Sequence, residues 1–118
     1  MFVVISAVGC NNKSLSPTPD SAEAYYNRGV DYYNNGDWDR AISDYDQAIR
    51  LNPDYAMAYN NRGNTYFIKG DLDRAISDYS QAIEINPSDA VVYYNRAVAY
   101  NKKDDLVQPL ATMIKQFS

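Results

Sequence analysis

At 118 residues, with a formal charge of −4, no His and one Cys, the chain holds a single small folded unit at most. A zinc site built from His and Cys, or a thiol nucleophile paired with His, is excluded within one chain. The acidic balance argues against a phosphate-binding surface, which needs clustered Lys and Arg, and no run approaches the roughly 20 apolar residues that span a bilayer.

Met1 to Gly9 are uncharged and apolar and end at Cys10; Asn11 to Asp20, with Pro17 and Pro19, reads as an extended polar tether. An apolar run, small residues, one Cys and a polar linker resemble the tail of a bacterial lipoprotein signal peptide, which implies lipidation of Cys10 within the box Ala7-Val8-Gly9-Cys10. Two features depart from that pattern: Ala7 stands where Leu is usual, and no Lys or Arg precedes the apolar run. The alternative is a frayed terminus with an incidental Cys. The first reading places the protein at a bacterial envelope membrane, lipid-anchored and facing the periplasm; the second leaves it cytoplasmic. On both, residues 1–20 stand apart from a folded domain at 21–118.

From Ala22 the chain repeats itself. Tyr25, Asn27, Arg28, Gly29, Tyr32, Gly36, Asp37, Ala41, Tyr45, Ala48 and Pro53 recur 34 positions later as Tyr59, Asn61, Arg62, Gly63, Tyr66, Gly70, Asp71, Ala75, Tyr79, Ala82 and Pro87. Between 22–55 and 56–89, 21 of 34 positions are identical, so the unit of structure is the repeat. A third copy, 90–118, begins with Tyr93, Asn95, Arg96 and Tyr100 and then decays.

Within a unit, Asp20 or Ser21 caps a first helix, on which Tyr25, Arg28, Gly29 and Tyr32 share a face. Asn35-Gly36 stops it, and Asp37 caps a second helix. That helix carries an apolar stripe of Trp38, Ala41, Ile42, Tyr45, Ala48 and Ile49, and Asn52-Pro53 ends it. Gly29 and Gly63 each cost helix stability of about 1 kcal/mol relative to Ala. Their recurrence predicts close approach of the paired helices, with Ala41 and Ala75 as small facing residues and Tyr45 and Tyr79 filling the remaining space.

The spacing aromatic-x3-Gly-x2-Tyr, then Ala-x3-aromatic, then Pro, on a period of 34, resembles the tetratricopeptide repeat. The resemblance implies an all-α fold, antiparallel helix-turn-helix repeats stacked as a short right-handed solenoid. One departure recurs: Arg28, Arg62 and Arg96 stand where the family usually has Leu. Because an Asp recurs in step, Arg28 is expected to pair with Asp44 and Arg62 with Asp78; Arg96, with Thr112 at the equivalent place, lacks a partner. A solvated Arg whose stem covers apolar surface is the alternative.

Ala90 to Lys103 follows the first-helix pattern after Ser88 or Asp89. Asp104 to Ser118 keeps helical spacing through Leu106, Leu110, Ile114 and Phe117, but Pro109 stands where Ala41 and Ala75 stood, and is expected to kink this helix or delay its start to about Gln108. Self-association through this end, or continuation into a longer array, follows from its small polar content.

The resemblance also implies a concave side lined by the first helices, where a partner protein or peptide lies. The lining residues so placed are Tyr26, Asn27, Val30, Tyr33 and Asn34; Asn60, Asn61, Asn64 and Phe67; and Tyr94, Asn95, Val98, Asn101 and Lys102. Asn amides suit a peptide backbone and Tyr offers wide contact area. Alternatively Tyr26, Tyr33 and Tyr94 pack between repeats and the Asn are soluble filler. The family's two-carboxylate clamp for chaperone tails is not expected: of its set only Asn61 is kept, with Tyr26, Val30, Val91 and Asn95 at the other places. The acidic clusters Asp37, Asp39, Asp44, Asp46 and Asp71, Asp73, Asp78 lack calcium-loop spacing and suit capping and surface roles. No catalytic set, metal site or cofactor is expected. The function expected is a protein-protein interaction module with a scaffold role. The alternatives are an RNA-binding helical repeat, disfavoured by the acidic charge, and an N-terminal fragment of a larger scaffold.

Overall fold

The computed structural model describes residues 19–116, from 107 onward as backbone only. Cys10 and its flanking segment, and Phe117, lie outside the described residues. Five helices follow one another: α1 (Ala22–Asn34), α2 (Trp38–Leu51), α3 (Ala56–Lys69), α4 (Leu72–Ile85) and α5 (Ala90–Gln116). Among the described residues there is no strand.

The helix ends fall where side-chain chemistry puts them. Ser21 caps α1 by accepting from the Ala24 N–H at 3.1 Å. Asp37 and Asp71 cap α2 and α4 through the N–H groups of Arg40 and Arg74. The two intra-repeat turns close in the same way: Asp37 N–H reaches Tyr32 O and Asp71 N–H reaches Tyr66 O, both at 2.9 Å. Gly36 and Gly70 make this possible at φ 80° and 88°, a left-handed backbone that a side chain would strain.

The paired helices meet on glycine. Gly29 and Gly63 are buried, and a Cβ at either would stand 2.7 Å or 2.8 Å from Cε1 of Tyr45 or Tyr79. Each ring approaches its glycine too closely to admit a methyl group. Ala41, Ala48, Ala75 and Ala82, all buried, keep the helix axes near. Tyr45 and Tyr79 are the largest fully enclosed side chains, each ring contributing a few kcal/mol of apolar burial.

The hairpins then stack. First helices approach first helices, α1 with α3 and α3 with α5, whereas no Cα of α2 comes within 8 Å of one in α4. The first helices therefore form the tight inner layer and the second helices the splayed outer one.

The third copy departs from the expected pair. α5 runs without a break from Ala90 to Gln116, where a turn near residue 104 and a separate last helix were expected. Asp104 stands where Gly36 and Gly70 made the left-handed turn, so nothing there invites the chain to reverse. Pro109 removes one backbone bond but does not end the helix. In consequence Tyr93 and Tyr100 are 42% and 48% exposed, and Ala97 between them is exposed, although their counterparts Tyr59, Gly63 and Tyr66 are covered by α4.

Candidate functional site

The expected ion pairs form. Arg28 holds Asp44 with two parallel bonds, Nε to Oδ2 at 2.7 Å and Nη2 to Oδ1 at 2.8 Å. Arg62 holds Asp78 in the same fork, 2.8 Å on each side. Arg62 also donates Nη1 to Asp46 of the preceding hairpin at 2.7 Å, so one guanidinium ties α3 to both α2 and α4. Arg96, lacking a carboxylate, donates to Ser80 at 3.1 Å, which is the place of Asp46 one repeat on. Guanidiniums also sit over rings, Arg28 5.8 Å from Tyr25 and Tyr32 and Arg62 5.5 Å from Tyr59. Burial lifts the Asp78 carboxyl above its ordinary value, with Arg62 opposing that shift.

The acidic clusters resolve into caps and clasps. Asp39 pairs with Lys69, joining the start of α2 to the end of α3, and Asp73 pairs with Lys103 at 2.7 Å, joining the start of α4 to the middle of α5. These clasps were missed in the sequence, although Asp39 and Asp73 recur in step with Lys69 and Lys103. No group of three or more metal-ligating side chains is present among the described residues. No described helix is long and apolar enough to cross a membrane.

The residues expected to line the concave side lie on α1, α3 and α5, the inner layer. Several of them also join neighbouring repeats. Asn61 donates to the Tyr26 hydroxyl at 3.0 Å and Asn95 donates to Asn60 at 3.1 Å. Tyr26 packs 5.1 Å from Tyr55 and 5.9 Å from Tyr45, and Tyr33 packs edge-on to Trp38 at 5.4 Å. The recurring Asn at 27, 61 and 95 is thus an inter-repeat clasp wherever a repeat precedes it, and Asn27 is exposed. Asn34, Asn101 and Lys102 are exposed at the far end of the same layer.

This surface is hollowed between α3 and α5. Asn64, Phe67, Tyr94, Asn95 and Val98, with Tyr79 beneath them, line a cavity of about 160 Å³ between α3 and α5. Asn64 accepts from the Tyr79 hydroxyl at 2.6 Å, which fixes the floor. Tyr94 stands 69% exposed at its rim. One repeat earlier the corresponding residues are Val30, Tyr33, Asn60, Asn61 and Asn64 over Tyr45. There Val30 replaces Asn64's counterpart, and the Tyr45 hydroxyl is buried without a hydrogen-bond partner. The Asn61 amide beside it donates to Tyr26 instead.

Stacked antiparallel hairpins with a polar and aromatic inner face define a helical-repeat array, an architecture that presents an extended surface to a partner. The tetratricopeptide repeat family model matches residues 26–90, more than half of the chain, and a second model of that description matches 79–108. The chain belongs to the tetratricopeptide repeat family. Among solved structures, a crystal structure of MamA protein is 34% identical across 80% of this chain and 54% of its own, with a TM-score of 0.70. Another crystal structure of MamA is 37% identical across 70% of this chain and 48% of its own, at 0.69. The chain thus spans about half the length of those chains. The second tetratricopeptide domain of Spaghetti (RPAP3), bound to the HSP90 peptide SRMEEVD, is 25% identical across 74% of this chain and 81% of its own, at 0.70. Comparison with curated proteins gives no match.

Proposed function

We propose that the protein holds an extended segment of a partner protein in the concave face, centred on the hollow between α3 and α5. The observation that carries this is the convergence there of an exposed Tyr94, a half-buried Phe67 and the amides of Asn64 and Asn95 around one open cavity. Apolar rings supply contact area and amides read a peptide backbone, the usual composition of a peptide site. The Spaghetti (RPAP3) domain, bound to an HSP90 peptide, supports a peptide as the class of partner.

The partner segment is uncharged or weakly charged. Tyr26, Val30, Val91 and Asn95 offer no cation to a terminal carboxylate, whose desolvation would go uncompensated. Peptides selected from a displayed random library on the intact chain should lose at least tenfold in affinity with Tyr94→Ala or Phe67→Ala, a change of about 1.4 kcal/mol. The peptide SRMEEVD should bind no better than about 1 mM. Selected peptides indifferent to both substitutions would refute the groove, and salt-sensitive micromolar binding of SRMEEVD would refute its chemistry.

The same reading includes a lipid anchor at Cys10, tested by labelling with a fatty acid that Cys10→Ser abolishes, and self-association through α5. RNA binding is disfavoured by the net charge of −4. Continuation into a longer array stays compatible with the uncovered end.

A further inference from the structure

The uncovered face of α5 and the outer half of the same helix belong together. In both complete hairpins the first helix presents Tyr, Arg, Gly and Tyr, and the second helix lays Asp on the Arg and a Tyr ring on the Gly. One 34-residue step later, α5 carries Tyr93, Arg96, Ala97 and Tyr100, of which Tyr93, Ala97 and Tyr100 are exposed and Arg96 is half-buried against Ser80. The matching second-helix positions are Thr112 and Met113.

These changes are paired. A Cβ at Gly63 would stand 2.8 Å from Tyr79, so Ala97 could not sit beneath a tyrosine ring. Position 113 has lost its ring, and Met is flexible enough to pack over a methyl group. Likewise Arg96 faces a position that has exchanged carboxylate for hydroxyl. Compensation on both sides of a contact is expected where the two positions still meet. Within one chain they do not, because α5 carries 112 and 113 straight onward from 96 and 97.

We infer that a second copy of the chain supplies the missing contact, its outer α5 half lying antiparallel across Tyr93, Ala97 and Tyr100. Carrying the Arg62–Asp78 and Gly63–Tyr79 contacts forward brings 96 to 112 and 97 to 113, and places a two-fold axis at Asp104 and Asp105. The arrangement is reciprocal, so each copy covers the other. The lengths agree: α5 extends from 90 to 104 on one side of the axis and from 104 to 116 on the other. A projecting helix of about three turns is marginal in water without such cover. Leu106, 64% exposed, stands at the position of Trp38 and Leu72 and would be enclosed.

This inference rests on self-association through α5 and adds its register, and the test separates the two. Light scattering on the intact chain is expected to give twice the monomer mass of 13.4 kDa, and Tyr100→Asp should weaken the dimer at least tenfold. In a Cys10→Ser background, the pair Ala97→Cys and Met113→Cys is expected to give a disulfide-linked dimer under mild oxidation. A dimer that does not cross-link overturns the register and leaves self-association standing. An internally linked monomer shows α5 folding back on its own chain, and an unlinked monomer removes the interface altogether; both overturn the proposal.

Discussion

The two enclosed tyrosines differ by one neighbour. Tyr79 donates to Asn64, whereas Tyr45, with Val30 at the place equivalent to Asn64, has a buried hydroxyl without a hydrogen-bond partner. An unsatisfied buried hydroxyl is unfavourable, and an unsatisfied half-buried amide oxygen is too. Tyr45→Phe is therefore expected to leave stability unchanged or raise it by up to about 1 kcal/mol, while Tyr79→Phe lowers it by about 1 kcal/mol, both read from urea unfolding. Val30→Asn should stabilise the native protein and lose that effect in the Tyr45→Phe background. Burial also raises the pKa of Tyr26, Tyr45, Tyr55 and Tyr79 above 10.0. A raised folded pKa means that the stabilisation is complete below the unfolded value and is lost as pH climbs through the folded one. Urea midpoints should hold steady up to about pH 9 and fall above pH 10, less steeply in Tyr45→Phe. The tyrosine column was legible at 45 and 79; which hydroxyl found a partner was not, because that depends on a residue on another helix.

Between paired helices the decisive contact is glycine against ring. Gly63→Ala gains about 1 kcal/mol of helix propensity, but drives a methyl group into Tyr79, for a net loss of about 1–3 kcal/mol. In a Tyr79→Leu background the same substitution should be neutral or favourable, a coupling that a double-mutant cycle reads directly. The recurrence of Gly29 and Gly63 made this approach legible. The Ser and Asp caps and the Gly turns were legible for the same reason, since they act within a few residues. The run of α5 was misread although its signal was present: Asp104 occupies the column of Gly36 and Gly70. Helical spacing on both sides of 104 is compatible with one helix or two, and the missing glycine decides for one.

Across the whole array, Arg62 is the joint. Its guanidinium holds Asp78 of its own hairpin and Asp46 of the preceding one, with Asp78 nearly enclosed. Arg62→Leu leaves that carboxylate buried and alone, an expected loss of about 3–5 kcal/mol. The double variant Arg62→Leu, Asp78→Leu should cost much less than the sum of its parts. Asp46→Ala, removing the more exposed arm, should cost about 1 kcal/mol or less. Additive losses for Arg62 and Asp78 in thermal or urea unfolding would show the fork to be idle.

By itself the sequence determined the repeat, its helix pairs, their caps and turns, and the Arg–Asp fork. Each of these is written in contacts that recur at a fixed spacing, or in a backbone angle that one residue type permits. Only the tertiary structure decided that the recurring Asn clasp neighbouring repeats, that Asp39 and Asp73 reach Lys69 and Lys103, and that a hollow opens beneath Tyr94 between α3 and α5. Those depend on the rotation of each hairpin relative to the last, which arises from packing across the whole interface and is carried by no single residue.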